Sequence, residues 1–248
     1  MVNEADKERL GGHHSAQTLM DSVDFAPINR LQHEGRWEET AASLAEAACK
    51  VEQGGADFVV LCTNTMHRMA GAIAEAVSIP LLHIADATAE EVKARGVKRV
   101  GLLATRFTME QDFYKGRLAR EHGIEVVVPD EEERRTVHGV IYDELCLGEV
   151  KESSRQAYRR IMSRLVERGA EAVILRCTEI TMLVSQEDAS VPLFDTTRIP
   201  AEKAVEIALD GRKLAVYKEA SRYARGNARL GIQLISANPK RNTEQGGG

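Results

Sequence analysis

The chain is predicted to be an α/β protein of two related halves, each a parallel sheet flanked by helices. Three observations predict it. Short apolar runs alternate with helical stretches of about ten residues or more, as in parallel sheets covered on both faces. Two segments repeat one another: Gly55-Ala56-Asp57-Phe58-Val59-Val60-Leu61-Cys62-Thr63 and Gly169-Ala170-Glu171-Ala172-Val173-Ile174-Leu175-Arg176-Cys177-Thr178. Both read Gly-Ala-acid, then an apolar run, then Cys-Thr. Each is followed by a helical stretch and a second short run, Ile79-Pro80-Leu81-Leu82 and Val191-Pro192-Leu193-Phe194.

The elements follow in order. Met1 to Leu10 reads as the end of a helix stopped by Gly11-Gly12. Ala16 to Val23 reads as a strand with Asp24 at its C-terminal end. Trp37 to Gln53 is an amphipathic helix rich in Ala and Glu. Phe58 to Leu61 is a buried strand, Thr65 to Ala76 a helix, Pro80 to Ile84 a short strand, and Ala87 to Arg95 a helix ended by Gly96. The second half opens with a strand, Arg99 to Leu103, and a helix, Met109 to His122. Glu125 to Val128 is a strand, Glu131 to Leu145 and Glu152 to Arg168 are helices, and Val173 to Leu175 leads to Cys177. The opening strand of the second half has no counterpart before residue 15. On symmetry, one strand and the first turns of its helix are missing from the first half. The expected division is 1–95 with about 198–225 as the first subdomain, 96–197 as the second, and 226–248 as a disordered tail. Within that tail Leu230 to Ile235 is strand-like, a candidate to replace the missing strand.

At 248 residues with 43% apolar side chains, the chain can bury a substantial core. No apolar run is long enough to span a bilayer, and the charged start lacks a secretory signal, so the expectation is cytoplasmic, with no membrane partner. Four cysteines in a chain of this size do not make a disulfide scaffold. No Cys-x-x-Cys or His-Glu-x-x-His stretch points to a metal, and the seven histidines have no ligand spacing. The net charge of −5 divides into +5 from Asp210 onward and −10 before it. An acidic body argues against a nucleic-acid surface, and the basic tail reads as a solvated extension.

Cys62 and Cys177 fall at the carboxyl ends of strands, where open parallel sheets bind ligands. Thr63, Asn64 and Thr65 follow the first, Thr178 and Glu179 the second. A helix starting beyond such a turn offers free N–H groups that hold a carboxylate and lower a thiol's pKa from about 8.5 towards neutrality. A single such cysteine is more often a core residue; the matched pair points to chemistry that removes a proton on one face and returns one on the other. Cys49 and Cys146 lack such neighbours and read as packing residues. His67 is a candidate to support the site from behind. Asp24 and Asp195 are either ligands or helix caps.

These stretches, with Leu10-Gly11-Gly12, His14-Ser15-Ala16, Ser22-Val23-Asp24-Phe25, Cys62-Thr63-Asn64-Thr65-Met66-His67, His83-Ile84-Ala85-Asp86-Ala87-Thr88, Thr105-Arg106-Phe107-Thr108-Met109-Glu110-Gln111, Cys177-Thr178-Glu179-Ile180 and Phe194-Asp195-Thr196-Thr197, resemble the aspartate/glutamate racemase family over residues 3–209. The resemblance implies two pseudo-twofold-related α/β subdomains with the active site in the cleft between them. It implies Cys62 and Cys177 as the catalytic acid/base pair, with Gln32, Thr63, Asn64 and Thr178 as substrate-binding residues. It also implies a small-molecule amino-acid substrate, L- and D-aspartate or glutamate, and no cofactor, pyridoxal phosphate included. A homodimer is the default expectation. Relatives usually carry Gly where this chain has Arg176 and Thr181, and often His where it has Pro200. An alternative is a non-catalytic relative that binds a small acid or a partner protein; another keeps one cysteine as nucleophile or proton donor.

Overall fold

A computed structural model describes residues 1–211 and 213–216. It contains two parallel sheets. The first joins β1 (Val59–Val60) to β2 (Leu81–Leu82), with Val59 opposite Leu81. The second has β3 (Arg99–Ala104), β4 (Glu125–Val127), β5 (Ala172–Arg176) and β6 (Leu193–Asp195) in the order β4-β3-β5-β6. Helices in chain order link and cover them: α1 (Val2–Leu10), α2 (Phe25–His33), α3 (Trp37–Gln53), α4 (Ala70–Ala76), α5 (Ile84–Ala94), α6 (Arg106–Glu110), α7 (Asp112–His122), α8 (Glu131–Asp143), α9 (Glu152–Glu167), α10 (Ile180–Leu183) and α11 (Arg198–Leu209). Short 3-10 turns span Thr65–Met69, Leu145–Leu147 and Gln186–Asp188.

The second sheet carries the larger core. Val100, Leu102, Val173 and Ile174 are fully buried between helices that present Tyr114, Val137, Tyr158, Ile161 and Leu165. Gly101 lets α9 come close: a Cβ there would sit 3.0 Å from Leu165 Cδ1 and 3.3 Å from Val173 Cγ2. Helix α8 starts on a capping box, Asp130 Oδ1 accepting from the Glu133 N–H at 2.9 Å and the Glu133 carboxylate accepting from the Asp130 N–H at 3.1 Å. The first sheet is smaller. Thr40, Leu44 and Ala48 recur every four residues on α3 and bury one stripe of it. That stripe meets Ile28, Val59, Met66, Met69 and Ile73. On the other side α11 places Ala204 and Ile207 against Leu82 and Ala87, with Phe58 and Val60 at the margin.

The strand expected over Ala16 to Val23 is not formed. These residues have no regular structure, and Leu19 and Met20 are 52% and 87% exposed. The repeat supplies the reason. If β5 and β6 correspond to β1 and β2, then 16–23 corresponds to β4, whose neighbour in its sheet is β3. The first half has no counterpart of β3 among the described residues, so a strand-like segment has no ladder to join. Asp24 instead caps α2, accepting from the Ala26 N–H at 3.1 Å. Helix α1 ends at Gly11, whose φ of 73° suits glycine. The tail 226–248, with Leu230 to Ile235, lies outside the described residues.

Candidate active site

Cys62 sits in the loop that leaves β1. Its side chain is open to water, and its Sγ lies 3.8 Å from the Val60 carbonyl oxygen. The loop behind it is anchored at two successive carbonyls. His67 Nδ1 lies 2.7 Å from the Thr63 oxygen, and its Nε2 accepts from the Ile84 N–H at 3.1 Å. An acceptor at Nε2 makes Nδ1 the protonated nitrogen, so the imidazole is neutral and donates to Thr63. Burial accordingly pushes its pKa well below the usual value. The Asn64 carbonyl accepts from Arg176 Nη2 at 3.1 Å and from the His67 N–H at 3.2 Å. A trans peptide points its N–H opposite its C=O. Holding these two oxygens therefore turns the Asn64 and Thr65 N–H groups the other way, and neither has a hydrogen-bond partner among the described residues.

Cys177 follows β5 directly and is buried in the core of the second sheet. Its thiol donates to Glu179 Oε2 at 2.8 Å. Burial pushes the Cys177 pKa far up, and the Glu179 carboxylate adds to the rise by accepting the proton and opposing a thiolate. Burial also raises Cys62. Against the expectation of thiols lowered towards neutrality, both are raised: Cys177 by burial and by Glu179, and Cys62, although the residue is exposed, by the part of its surroundings that the protein fills. Arg176, despite its place in the sequence, does not lower Cys177. Its side chain is fully buried and turns towards Asn64 and Tyr114.

The halves meet through polar and aromatic groups. Gln32, 2% exposed on α2, donates to the Tyr142 hydroxyl on α8 at 3.3 Å. Burial raises the Tyr142 pKa, against the hydrogen bond from Gln32, which lowers it. His33 packs edge-on against Phe107 and Tyr142, and Trp37 against Phe107. Thr65 Oγ1 lies 3.4 Å from Thr105 Oγ1 at the end of β3. Thr196 gives its proton to the Leu175 carbonyl at 2.9 Å and lies 3.4 Å from Asn64 Oδ1.

The structure thus brings Asn64 to the junction of the halves and sets Gln32 beside Tyr142. Thr63 is half-buried beside Cys62, and Thr178 is exposed, its carbonyl accepting from Thr181 Oγ1 at 3.0 Å. Asp195 caps the next turn, accepting from the Thr197 N–H at 2.7 Å. Cys49 packs with the first core as expected. Cys146 does not: it is exposed in the turn Leu145–Leu147. Sequence reasoning missed Tyr142, which lies 110 residues from Gln32 with no motif to join them. It named Glu179 as a neighbour but not as the acceptor of the thiol proton.

A family model for Asp/Glu/Hydantoin racemase matches residues 1–204. The chain belongs to the Asp/Glu/Hydantoin racemase family. A Yersinia pestis protein described as a putative Asp/Glu racemase has a structure 51% identical to this chain, covering 84% of it and 91% of its own length, with a TM-score of 0.80. The Pyrococcus horikoshii OT3 protein PH1733, an aspartate racemase homologue, is 34% identical over 84% of this chain and 90% of its own, with a TM-score of 0.73. The broad specificity amino-acid racemase RacX of Bacillus subtilis (strain 168) is 25% identical over 69% of this chain and 74% of its own. These findings support a racemase with parallel sheets flanked by helices. Among the described residues no helix is long and apolar enough to cross a membrane, and no group of His, Cys, Asp or Glu could hold a metal ion.

This family member tolerates its departures locally. No non-glycine residue among those described has a positive φ, so neither Arg176 nor Thr181 occupies the left-handed backbone region that favours glycine. Pro200 lies in the first turn of α11, where the missing N–H costs no helix bond.

Proposed function

We propose that this chain is a cofactor-independent racemase that interconverts L- and D-aspartate or glutamate by proton transfer at Cα between Cys62 and Cys177. The observation that carries the reading is the pair of equivalent turns: each leaves the carboxyl end of a parallel strand, β1 or β5, and each presents a thiol followed by a threonine. One thiolate takes the Cα proton while the opposite thiol gives its proton to the other face, and reversal exchanges the roles. The resting environments support an assignment of starting states. Cys177, buried and bonded to Glu179, is the proton-loaded acid; Cys62, exposed and without a carboxylate on its sulfur, is the easier to ionise. The free Asn64 and Thr65 N–H groups would receive a substrate carboxylate beside Cys62, with Thr63, the Asn64 side chain, Gln32 and Thr178 around the amino acid.

The test is Cα proton exchange of L-Asp and L-Glu in heavy water, without pyridoxal phosphate, followed by proton NMR and chiral chromatography. Exchange with appearance of the D-isomer is expected. Cys62→Ser and Cys177→Ser should each lower racemisation by at least ~10²-fold, the lower end of what a positioned acid or base contributes; full activity in either would remove the two-thiol mechanism. A second reading, a non-catalytic relative that binds a small acid, is favoured by one observation: the Cys177 thiol is buried and donates to the Glu179 carboxylate, an arrangement that opposes a thiolate. It predicts thermal stabilisation by aspartate or glutamate with no exchange.

A further inference from the structure

The first half's cysteine turn and the second half's cysteine strand are joined by Arg176, in a way that neither packing nor charge pairing explains. The guanidinium is fully buried. No ion pair to it forms among the described residues. Its Nε and Nη1 make no hydrogen bond of normal geometry. What it does have is direction. Cζ stands over the Tyr114 ring, 3.4 Å from its centre, and 5.4 Å from the centre of the Phe113 ring, cation–π contacts that hold the guanidinium. From there Nη2 reaches across to the Asn64 carbonyl at 3.1 Å.

A buried cation with unused donors is an expensive way to fill space. A well-packed apolar side chain would fill it at lower cost. We propose that Arg176 is a positioning residue: it pins the turn carrying Cys62 and Asn64 to the strand carrying Cys177, and so sets the spacing of the two thiols. The geometry makes the coupling direct. Arg176 is the last residue of β5, one peptide from Cys177, and its partner Asn64 is two residues from Cys62. His67 holds the preceding carbonyl from within the first half, so Arg176 is the cross-lobe member of a two-point anchor. Thr196, bonded to the Leu175 carbonyl on the same strand and 3.4 Å from Asn64 Oδ1, keeps the Asn64 side chain in the same register.

The catalytic consequence rests on the racemase reading above; the pinning does not, so two readouts separate them. Arg176→Met keeps a long stem over Tyr114 and removes the donor. In this variant, followed by peptide mass spectrometry, iodoacetamide should alkylate Cys62 at a rate changed at least threefold, while Cys49, on α3 and bonded to the Ala76 carbonyl, reacts as before. Arg176→Lys, which keeps a donor, should return the Cys62 rate towards that of the parent chain. In the exchange assay Arg176→Met should lose about tenfold or more in kcat with a smaller change in KM, and retain its thermal midpoint to within a few degrees. An unchanged Cys62 rate in Arg176→Met, or equal rates in the Met and Lys variants, would overturn the pinning. A parent chain with no exchange would remove the racemase reading and leave the alkylation result to decide the role of Arg176. If Arg176→Met does not fold, Arg176→Leu replaces it and reads the same way, since it too is apolar and carries no donor.

Discussion

Two thiols of the same chemistry sit in unlike surroundings, and the difference lies in single side chains. The Cys177 proton is shared with Glu179, two residues on, at 2.8 Å, whereas Cys62 faces only a backbone oxygen at 3.8 Å. An anion that accepts from a thiol favours the neutral form twice over, by the hydrogen bond and by repulsion of the thiolate. Glu179→Gln removes the charge and offers an N–H donor in its place. The Cys177 pKa should then fall, so the thiolate fraction at a given alkaline pH rises. The measurement is the pH profile of Cys177 alkylation, whose midpoint should move down by about one unit or more, roughly 1.4 kcal/mol of differential interaction. A midpoint that stays put would mean that burial alone sets it. The same environments predict that Cys62 is alkylated before Cys177 in the unmodified protein. None of this was readable from the Cys-Thr motif, which is identical at the two sites; exposure and the reach of Glu179 are properties of the folded backbone.

At the scale of elements, the turn after β1 and the start of α5 depend on two histidines that must remain neutral. His83 Nδ1 accepts from the Ala85 N–H at 3.1 Å and caps α5, and its ring lies edge-on to that of His67, 4.7 Å between centres. Burial, then the charge of Arg117, pulls the His83 pKa down to about 4. A group with a lowered folded pKa binds fewer protons folded than unfolded. Its contribution is therefore complete above pH 6.5 and is lost as the pH falls through the window down to about 4, a loss of about 3 kcal/mol. Burial lowers His67 in the same direction. His83→Asn retains a side-chain acceptor for the cap but does not titrate. Urea unfolding at pH 7 and pH 4.5 should show a smaller loss in this variant than in the parent chain; equal losses would assign the acid sensitivity elsewhere. The sequence marked His67 as a support of the site, since it lies one turn past Asn64. It could not mark His83, whose capping geometry depends on where β2 delivers the chain.

The whole molecule is uneven, and the unevenness follows from the repeat. The alternation of runs and helices disclosed both sheets, the two cysteine positions and most of the longer helices, though not α2, which carries Gln32, because buried parallel strands and amphipathic helices are written in local patterns. It misled at Ala16 to Val23, where the local pattern suits a strand but pairing is non-local: without a neighbour corresponding to β3 the segment stays exposed. It could not disclose Gln32–Tyr142 or Arg176–Asn64, which join positions more than 100 residues apart. The consequence is a first sheet of two short strands over a small core beside a second sheet of four strands with a core of many fully buried residues. Local opening free energy tracks buried apolar contact and paired backbone. Amide hydrogen exchange under native conditions should therefore be faster at Val60 and Leu82 than at Leu102, Leu103 and Ile174, by an amount larger than their intrinsic rates explain. On the proposed site, in which aspartate would be held by both cysteine turns, the gap should narrow when aspartate is present, because such a ligand couples the weaker sheet to the stronger. Equal protection of the two sheets without ligand would show that α3 and α11 alone stabilise the first as fully as four paired strands stabilise the second, and the open side of β1 would then carry no energetic cost.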